Sequence, residues 1–323
     1  MVGKYEIEIY NNRVHYTLVV KRNITILQGY SATGKTELIR LISDYEQNGA
    51  SSGITIICEA ACTVLTSVDW ELRLSRLKKH VVFIDETASF IKTQRFAELV
   101  RGSDNYFVIV TREDLEQLPY SVDEIYGLRN ASDSSKYKSF KKVYNEMYNL
   151  YNFKRPLKMQ PRLVITEDSN SGFECFSLLY GNICESAGGK SRIYNAIRKT
   201  GVDGILAIVD GAAFGSEISK VLRYLEASGK RCVIYAPESF EYILLKSGIV
   251  DVPLAVLEET YEYADSCNYM SWEEFYTAYL MQKTQASIYQ YSKARLKDSY
   301  RTKGSLKRIT DVIPEQIRPV QMV

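Results

Sequence analysis

A glycine-rich stretch near the start of the chain decides the fold of its first part. Residues 24–36 read Ile-Thr-Ile-Leu-Gln-Gly-Tyr-Ser-Ala-Thr-Gly-Lys-Thr. Gly29, four further residues and then Gly34-Lys35-Thr36 complete a phosphate-binding loop, with an apolar run before it and a helical pattern after it. The glycines let the backbone curl so that N–H groups point at phosphate oxygens, and the helix N-terminus adds positive potential. The stretch therefore predicts a nucleotide site between a strand and a helix.

The residue types in this loop predict what each does. We expect ATP to be bound by the whole loop, which consists of Gly29, Tyr30, Ser31, Ala32, Thr33, Gly34, Lys35 and Thr36. Lys35 would contact the β- and γ-phosphates, and the hydroxyl of Thr36 would bind the Mg²⁺ that accompanies ATP.

A second motif follows at residues 81–86, which read Val-Val-Phe-Ile-Asp-Glu. Four apolar residues before two acids predict a buried parallel strand that delivers carboxylates to its C-terminal end. The pairing of this strand with the loop resembles P-loop ATPases. The resemblance implies that Asp85 helps to hold Mg²⁺ and that Glu86 polarises the attacking water.

Two further apolar runs refine this resemblance. Ile54–Cys58 lies between the two motifs, and Tyr106–Val110 follows them and ends in Thr111-Arg112. The set is similar to the additional-strand class of P-loop proteins, which includes AAA+, ABC and RecA-like ATPases. That class implies a γ-phosphate sensor at the end of the last strand, for which Thr111 is the first candidate and Arg112 the second. A solvated Arg112 is the alternative that we favour.

Other nucleotide-binding classes fit less well. The sequence after Tyr106–Val110 reads Thr-Arg-Glu-Asp, whereas a guanine-reading loop needs Asn-Lys-x-Asp. The chain has no Leu-Ser-Gly-Gly-type signature before the acidic strand, although the predicted hairpin of Tyr5–Tyr10 and His15–Val20 resembles the opening of ABC-type heads.

Composition excludes several other classes of site. The chain has 323 residues and a formal net charge of +2, which gives no general case for nucleic-acid binding. Six cysteines without CxxC spacing and only two histidines argue against a zinc site. The sequence lacks a signal-peptide pattern and a transmembrane-length apolar run, so we expect reduced thiols, no membrane association and a cytoplasmic location.

The second part of the chain has its own alternation of strands and helices. Strand patterns at Arg162–Thr166, Gly204–Val209 and Arg231–Tyr235 are separated by helical patterns, which predicts a small parallel sheet. We therefore expect an α/β fold with a P-loop domain at 1–155, a second α/β domain at 160–252 and a helical C-terminal extension at 253–323.

Three features of this second domain resemble the Toprim domain of primases, topoisomerases and OLD-family ATPase-nucleases. They are Glu167 after the first strand, the turn Ala187-Gly188-Gly189-Lys190, and the segment Asp210-Gly211-Ala212-Ala213-Phe214-Gly215-Ser216-Glu217. The resemblance implies a second metal site at Glu167 and Asp210, since strand-end carboxylates bind Mg²⁺ for phosphodiester cleavage. Ala212 departs from the Asp-x-Asp pattern, so Glu217 or Asp168 would have to supply the missing ligand. The alternative is that these acids only cap helices.

Two basic segments are candidates for binding nucleic acid. Residues 136–158 interleave lysines and arginine with aromatic residues, and residues 293–308 carry seven basic residues and Asp298. A solvated surface is the alternative for both, and it is favoured for the first segment. A homo-oligomer or a protein partner also stays open.

Together these features predict an Mg²⁺-dependent ATPase that couples its nucleotide state to a Toprim-like domain. The resemblance to small ATPases of mobile elements implies DNA or RNA processing in conflict with phage or plasmids. Two alternatives remain: a nucleotide-gated switch whose second domain only binds a partner, and a P-loop phosphotransferase.

Overall fold

The structure is a computed structural model that describes residues 1–29, 34–131, 142–153 and 156–319. Four predicted ATP-binding residues lie outside these ranges: Tyr30, Ser31, Ala32 and Thr33. The chain divides into two compact units. The first unit contains Met1–Tyr151 and Tyr261–Ser271, and the second contains Asn152–Thr260 and Trp272–Val323.

The first unit is built on one large mixed sheet. Its described strands are β1 (Tyr5–Tyr10), β2 (Val14–Val20), β3 (Ile24–Leu27), β4 (Thr55–Ile57), β5 (Ala61–Val64), β6 (His80–Ile84), β7 (Tyr106–Val110), β8 (Ile125–Asn130) and β9 (Val143–Asn149). Its described α-helices are α1 (Lys35–Asn48), α2 (Trp70–Arg76) and α3 (Gln94–Val100).

The order of the strands places the two sequence motifs near each other. The described strands run in the order β4-β1-β2-β9-β8-β3-β7-β6-β5. Strands β3 and β7, β7 and β6, and β6 and β5 pair in parallel, so β7 lies between the strand before the loop and the acidic strand. Parallel strands end at a common edge of the sheet, which brings the residues after β3, β6 and β7 together.

The hairpin predicted from alternation is confirmed. β1 and β2 pair antiparallel, with Tyr10 opposite His15. Ile7 and Ile9 are fully buried, while Glu6 before them is exposed and Glu8 between them is half-buried, because one face of the hairpin covers the core and the other faces away from it. On the core side, Leu38, Leu41 and Ile42 of α1 join the same hydrophobic cluster.

The strand predicted at Ile54–Cys58 lies at the edge of the sheet and not in its centre. It is β4, which pairs antiparallel with β1 at the edge of the sheet and leaves Ile57 53% exposed. The strand beside β6 is instead β5, which the sequence prediction omitted. Its four residues, Ala-Cys-Thr-Val, form only a weak apolar run, so the sequence gives little indication of a strand. The first residue is exposed and the second is half-buried.

The second unit contains a smaller parallel sheet. Its described strands run in the order β11 (Cys184–Ser186), β10 (Leu163–Thr166), β12 (Ile205–Ile208) and β13 (Cys232–Tyr235). Its described α-helices are α4 (Ser171–Tyr180), α5 (Lys190–Lys199), α6 (Gly215–Ser228), α7 (Phe240–Lys246), α8 (Leu254–Glu258), α9 (Trp272–Thr284) and α10 (Lys303–Val312). The fully buried runs of β10 and β12 explain why both strands could be predicted from apolar residues.

The helices of the second unit pack in two groups. α5 packs against α6, whereas α4 and α7 both pack against α10, and α7 also packs against α9. The C-terminal helices are therefore part of this unit's core. Between α9 and α10, residues 285–302 contain no α-helix, and Tyr291, Leu296 and Tyr300 from this segment are buried.

Candidate nucleotide site and a second carboxylate cluster

The end of the glycine-rich loop before α1 requires glycine at position 34. Gly34 has a φ of 89°, in the left-handed region, and its carbonyl accepts a hydrogen bond from the Tyr16 hydroxyl at 2.8 Å. A Cβ atom at this position would lie 2.7 Å from that hydroxyl oxygen. Leu38 then donates to the same carbonyl at 2.9 Å, which starts α1. Backbone conformation and space both exclude a side chain here.

Lys35 lies inside the loop region. Its side chain is buried, and its ammonium group donates to the carbonyl oxygen of Gly29 at 3.1 Å. Burial lowers the pKa of Lys35, and the nearby charges of Glu86 and Arg112 act in opposite directions on it. Because β3, β7 and β6 pair in parallel, the residues that follow β3 and β6 lie at the same edge of the sheet. Thr36, in the first turn of α1, is exposed.

Asp85 ends β6 and is engaged by its own turn. One carboxylate oxygen accepts from the backbone N–H of Glu86 at 2.8 Å, and the other accepts from the hydroxyl of Thr87 at 3.0 Å. These bonds fix the direction of the carboxylate. Each oxygen retains lone pairs that a metal ion could use.

Glu86 forms an ion pair with Arg112. The guanidinium donates from Nε to one carboxylate oxygen at 2.9 Å and from a terminal nitrogen to the other at 3.1 Å. Arg112 follows β7, so the two side chains extend from neighbouring strand ends. The sequence favoured a solvated Arg112 without a specific contact. In the structure its side chain is half exposed, but it pairs with Glu86. Opposite charges at the ends of adjacent parallel strands were the signal available in the sequence.

Thr111 is buried and its hydroxyl is used locally. It donates to the carbonyl of Glu113 at 3.0 Å and accepts from the backbone N–H of Glu113 at 3.0 Å. The backbone N–H of Thr111 also donates to Leu27 at the end of β3, at 3.2 Å. Thr111 therefore ties the end of β7 to the strand before the loop.

The donor set at this edge suits a magnesium nucleotide. A lysine ammonium and a helix N-terminus favour phosphate, while the hydroxyl of Thr36 and the carboxylate of Asp85 are oxygen ligands of the kind that Mg²⁺ prefers. Glu86 and Thr111 lie at the ends of strands β6 and β7 beside them. The chemistry of these residues fits ATP and Mg²⁺.

A second cluster of acids lies at the ends of β10 and β12. Glu167 accepts a hydrogen bond from the backbone N–H of Asp210 at 2.9 Å, so the two predicted ligands are adjacent. Burial raises the pKa of Glu167 to about 7, against the effect of that N–H. Burial also raises the pKa of Asp210, and the charges of Glu273, Glu167 and Glu241 raise it further. Phe176 and Phe240 line the cavity beside these carboxylates.

Two residues beyond the predicted sheet contribute to this cluster, and the sequence prediction missed them in this role. The ammonium group of Lys293 donates to the carboxylate of Glu273 at 2.5 Å. Burial lowers the pKa of Lys293, but the charges of Glu273, Glu241 and Asp210 outweigh it and raise the pKa overall. The cluster therefore contains its own cation.

The other candidate ligands are placed less favourably. Asp168 accepts from the backbone N–H of Phe173 at 3.0 Å and of Asn170 at 3.3 Å, so it caps α4. Glu217 is buried in the first turn of α6. Ala212 is buried and donates its backbone N–H to Glu238.

In their present arrangement these side chains do not form a group of three ligands for a divalent ion. Within the described ranges, one group of three or more potential ligands has its ligand atoms within 4.8 Å of one another: Asp104, Asp265 and Cys267 of the first unit. Both aspartates there pair with the terminal ammonium group of Met1. Glu167, Asp210 and Glu217 do not form such a group.

Several residues of the first predicted basic segment lie outside the described ranges, and three basic residues of the second have partners within the chain. In the first, the described residues exclude Lys136, Lys138, Lys141, Lys154 and Arg155. In the second, Lys293 pairs with Glu273, Arg301 pairs with Glu174, and Arg308 donates to the carbonyl of Gly248 at 3.0 Å. Nucleic-acid binding by either segment stays a prediction.

Comparisons with known proteins add no assignment. A scan against models of protein families, a search of curated proteins and a search of solved structures each found no match to this chain. In the part of the chain that the structure describes, no helix combines the length and the apolar character needed to cross a bilayer.

Proposed function

We propose that the first unit binds ATP together with Mg²⁺ and hydrolyses ATP. The observation that carries the proposal is that β3, β7 and β6 pair in parallel, so that Lys35 after β3 and Glu86 after β6 follow strand ends at the same edge of the sheet. The placement of β7 between those strands adds support, because the additional-strand class of ATPases implies this order. A lysine beside a glutamate at the carboxyl edge of a parallel sheet suits phosphate binding and water activation.

Different residues of the first unit would bind the phosphates, hold Mg²⁺ and activate water. Lys35 exchanges the carbonyl of Gly29 for phosphate oxygens, and its buried position strengthens that interaction. Thr36 and Asp85 would hold Mg²⁺, which supplies charge neutralisation on the phosphates. Glu86 orients water and accepts its proton once its carboxylate is released from Arg112. Thr111 holds the end of β7 in register with β3.

Calorimetry of ATP binding tests this proposal. Lys35→Ala removes a charge-assisted contact and should weaken ATP binding at least tenfold, or about 1.4 kcal/mol. Lys92→Ala is the matched control, because Lys92 pairs with the exposed Glu113 and should leave affinity unchanged. Equal affinities for ATP in the wild type and Lys35→Ala would overturn the proposal.

For the second unit we propose partner binding without phosphodiester cleavage. The capping role of Asp168, the apolar side chain of Ala212 and the pairing of Glu273 with Lys293 favour this function over a nuclease. Incubation of the full chain with plasmid and single-stranded DNA, with Mn²⁺ and with or without ATP, tests it. Cleavage that disappears in Glu167→Gln would replace this function with nuclease activity.

A further inference from the structure

Lys293 is held in position by the residues on both sides of it. Tyr291 is buried, and its hydroxyl donates to Glu241 at 2.8 Å and shares a hydrogen bond with the Ser171 hydroxyl at 2.8 Å. The backbone N–H of Ser171 donates to the carbonyl of Lys293 at 3.2 Å. On the other side, Leu296 donates its backbone N–H to Glu174 at 3.1 Å. The backbone at Lys293 is therefore fixed against α4 and α7.

The ammonium group of Lys293 bonds directly to Glu273, and the charges of carboxylates on two other elements also act on it. Glu273 comes from α9, Glu241 from α7 and Asp210 from the end of β12, and all three raise the pKa of Lys293. Glu167, at the end of β10, contacts the backbone of Asp210. A fixed backbone and a direct bond to a half-buried carboxylate distinguish Lys293 from an isolated surface lysine, whose ion pairs contribute little.

Charge balance explains why a cation belongs at this place. Carboxylates in a half-buried cluster are unfavourable unless they are paired, hydrogen-bonded or bound to a metal. Glu241 has the Tyr291 hydroxyl and Glu273 has the Lys293 ammonium group, whereas the carboxylate of Asp210 accepts no hydrogen bond from the described residues. The ammonium group of a lysine is a compact charge on a flexible side chain, so it can interact with several carboxylates at once.

We propose that Lys293 is the resident cation for Asp210, Glu241 and Glu273, and that it excludes a divalent metal from this edge of the sheet, where Glu167 contacts the backbone of Asp210. The positive charge reaches the strand ends from a C-terminal segment, and it replaces the ion that the resemblance to Toprim domains implies. A divalent ion would have to separate Lys293 from Glu273 before it gained those oxygens. This inference deepens the proposal that the second unit is not a nuclease.

Manganese binding to the nucleotide-free full chain, measured by electron paramagnetic resonance, tests the assignment. We expect wild-type protein to show no Mn²⁺ site that depends on Asp210. Lys293→Met leaves the carboxylates without their cation and should tighten Mn²⁺ binding at this edge about tenfold or more. The double variant Lys293→Met/Asp210→Asn should lose that gain. Lys297→Met is the matched control, because Lys297 is exposed on the same segment, and it should behave as wild type.

Two outcomes would overturn the assignment. One is a wild-type Mn²⁺ site that Asp210→Asn abolishes, and the other is a folded Lys293→Met chain that gains no Mn²⁺. Thermal melts establish folding. DNA cleavage, by contrast, tests only the partner-binding function, so the two proposals can fail separately.

A measurement on wild-type protein avoids any dependence on the variant's folding. Acetylation of lysines by a small reagent, followed by mass spectrometry, compares Lys293 with Lys297. Because an ammonium group paired with carboxylates resists the deprotonation that acetylation needs, Lys293 should react about fivefold or more slowly. Addition of Mn²⁺ should not change that ratio. Equal rates, or a rate at Lys293 that rises with Mn²⁺, would contradict a resident cation.

Discussion

The guanidinium of Arg112 and the carboxylate of Glu86 form a two-bond ion pair at the ends of β7 and β6, with donor–acceptor distances of 2.9 and 3.1 Å. Glu86 is the residue that we propose as the water-orienting base. In this arrangement both of its oxygens are occupied by hydrogen-bond donors. The guanidinium therefore competes with water for the proposed base, although each carboxylate oxygen retains a lone pair.

Arg112→Ala should raise basal ATP hydrolysis. The pair is exposed, and such pairs contribute up to about 1 kcal/mol, so release of Glu86 should increase turnover about two- to fivefold. Steady-state phosphate release measures the effect. Arg95→Ala is a suitable control, because Arg95 forms an exposed ion pair with Glu71 elsewhere in the first unit. A fall in turnover with Arg112→Ala would instead assign the guanidinium to the phosphates.

Glu86→Gln should preserve ATP binding and reduce hydrolysis. The amide keeps the shape of the side chain but cannot accept a proton, and loss of a general base typically costs about 10²–10⁴-fold in rate. Single-turnover hydrolysis and calorimetry separate the two effects. Glu113→Gln, which alters an exposed carboxylate paired with Lys92, should leave both unchanged. Hydrolysis at the wild-type rate in Glu86→Gln would remove this residue from the mechanism.

Apolar runs were enough to predict most of the strands that position these residues. β3, β6 and β7 are buried along nearly their whole length, and buried parallel strands read as continuous apolar segments. β5 was missed because it is short and only half buried. β4 was recognised as a strand, but its place at the sheet edge depends on pairing with β1, which a local pattern does not encode.

The two ion pairs show where sequence reasoning stops. Glu86 and Arg112 follow different strands, β6 and β7, and only the strand order makes them neighbours. Lys293 and Glu273 belong to a C-terminal region that was expected to be a separate helical extension. Their approach to Asp210 depends on how that region packs over α4 and α7, and the basic run around Lys293 suggested nucleic acid instead.

Gly34→Ala should destabilise the first unit beyond the ordinary cost of a left-handed alanine. That cost is about 1–2 kcal/mol, and the contact of the new Cβ with the Tyr16 hydroxyl should add about 1–3 kcal/mol. Gly53→Ala is the matched control, because Gly53 also has a positive φ of 69° but open space around it. Chemical denaturation measures both variants.

The double variant Gly34→Ala/Tyr16→Phe separates the two contributions of Gly34. Removal of the hydroxyl should relieve the contact, so the double variant should lose less stability than the sum of the single variants. Simple additivity would show that backbone conformation alone requires glycine.

Glu167→Gln should make the second unit more stable at alkaline pH. The pKa of Glu167 is raised from its ordinary value of 4.5 to about 7, so the folded state binds more protons than the unfolded state between these values. Stability from this group is therefore present below pH 4.5 and is lost as the pH rises through 7. Glutamine carries no charge and still offers an oxygen to the backbone N–H of Asp210, so it escapes that loss.

Thermal melts of wild type and Glu167→Gln should differ in stability by an amount that increases as the pH rises. Glu167→Gln should gain on the order of 2 kcal/mol over wild type at pH 8, and the difference should vanish near pH 4. The groups facing Glu167 are Asp168, Asp210, Glu273 and Lys190, and the titration of Asp210 with Glu167 broadens the transition. Glu185→Gln, an exposed neighbour on β11, should show a flat difference across the same range. A variant that is less stable than wild type at pH 8 would mean that the ionised carboxylate is stabilised in the folded chain, as a bound cation would do.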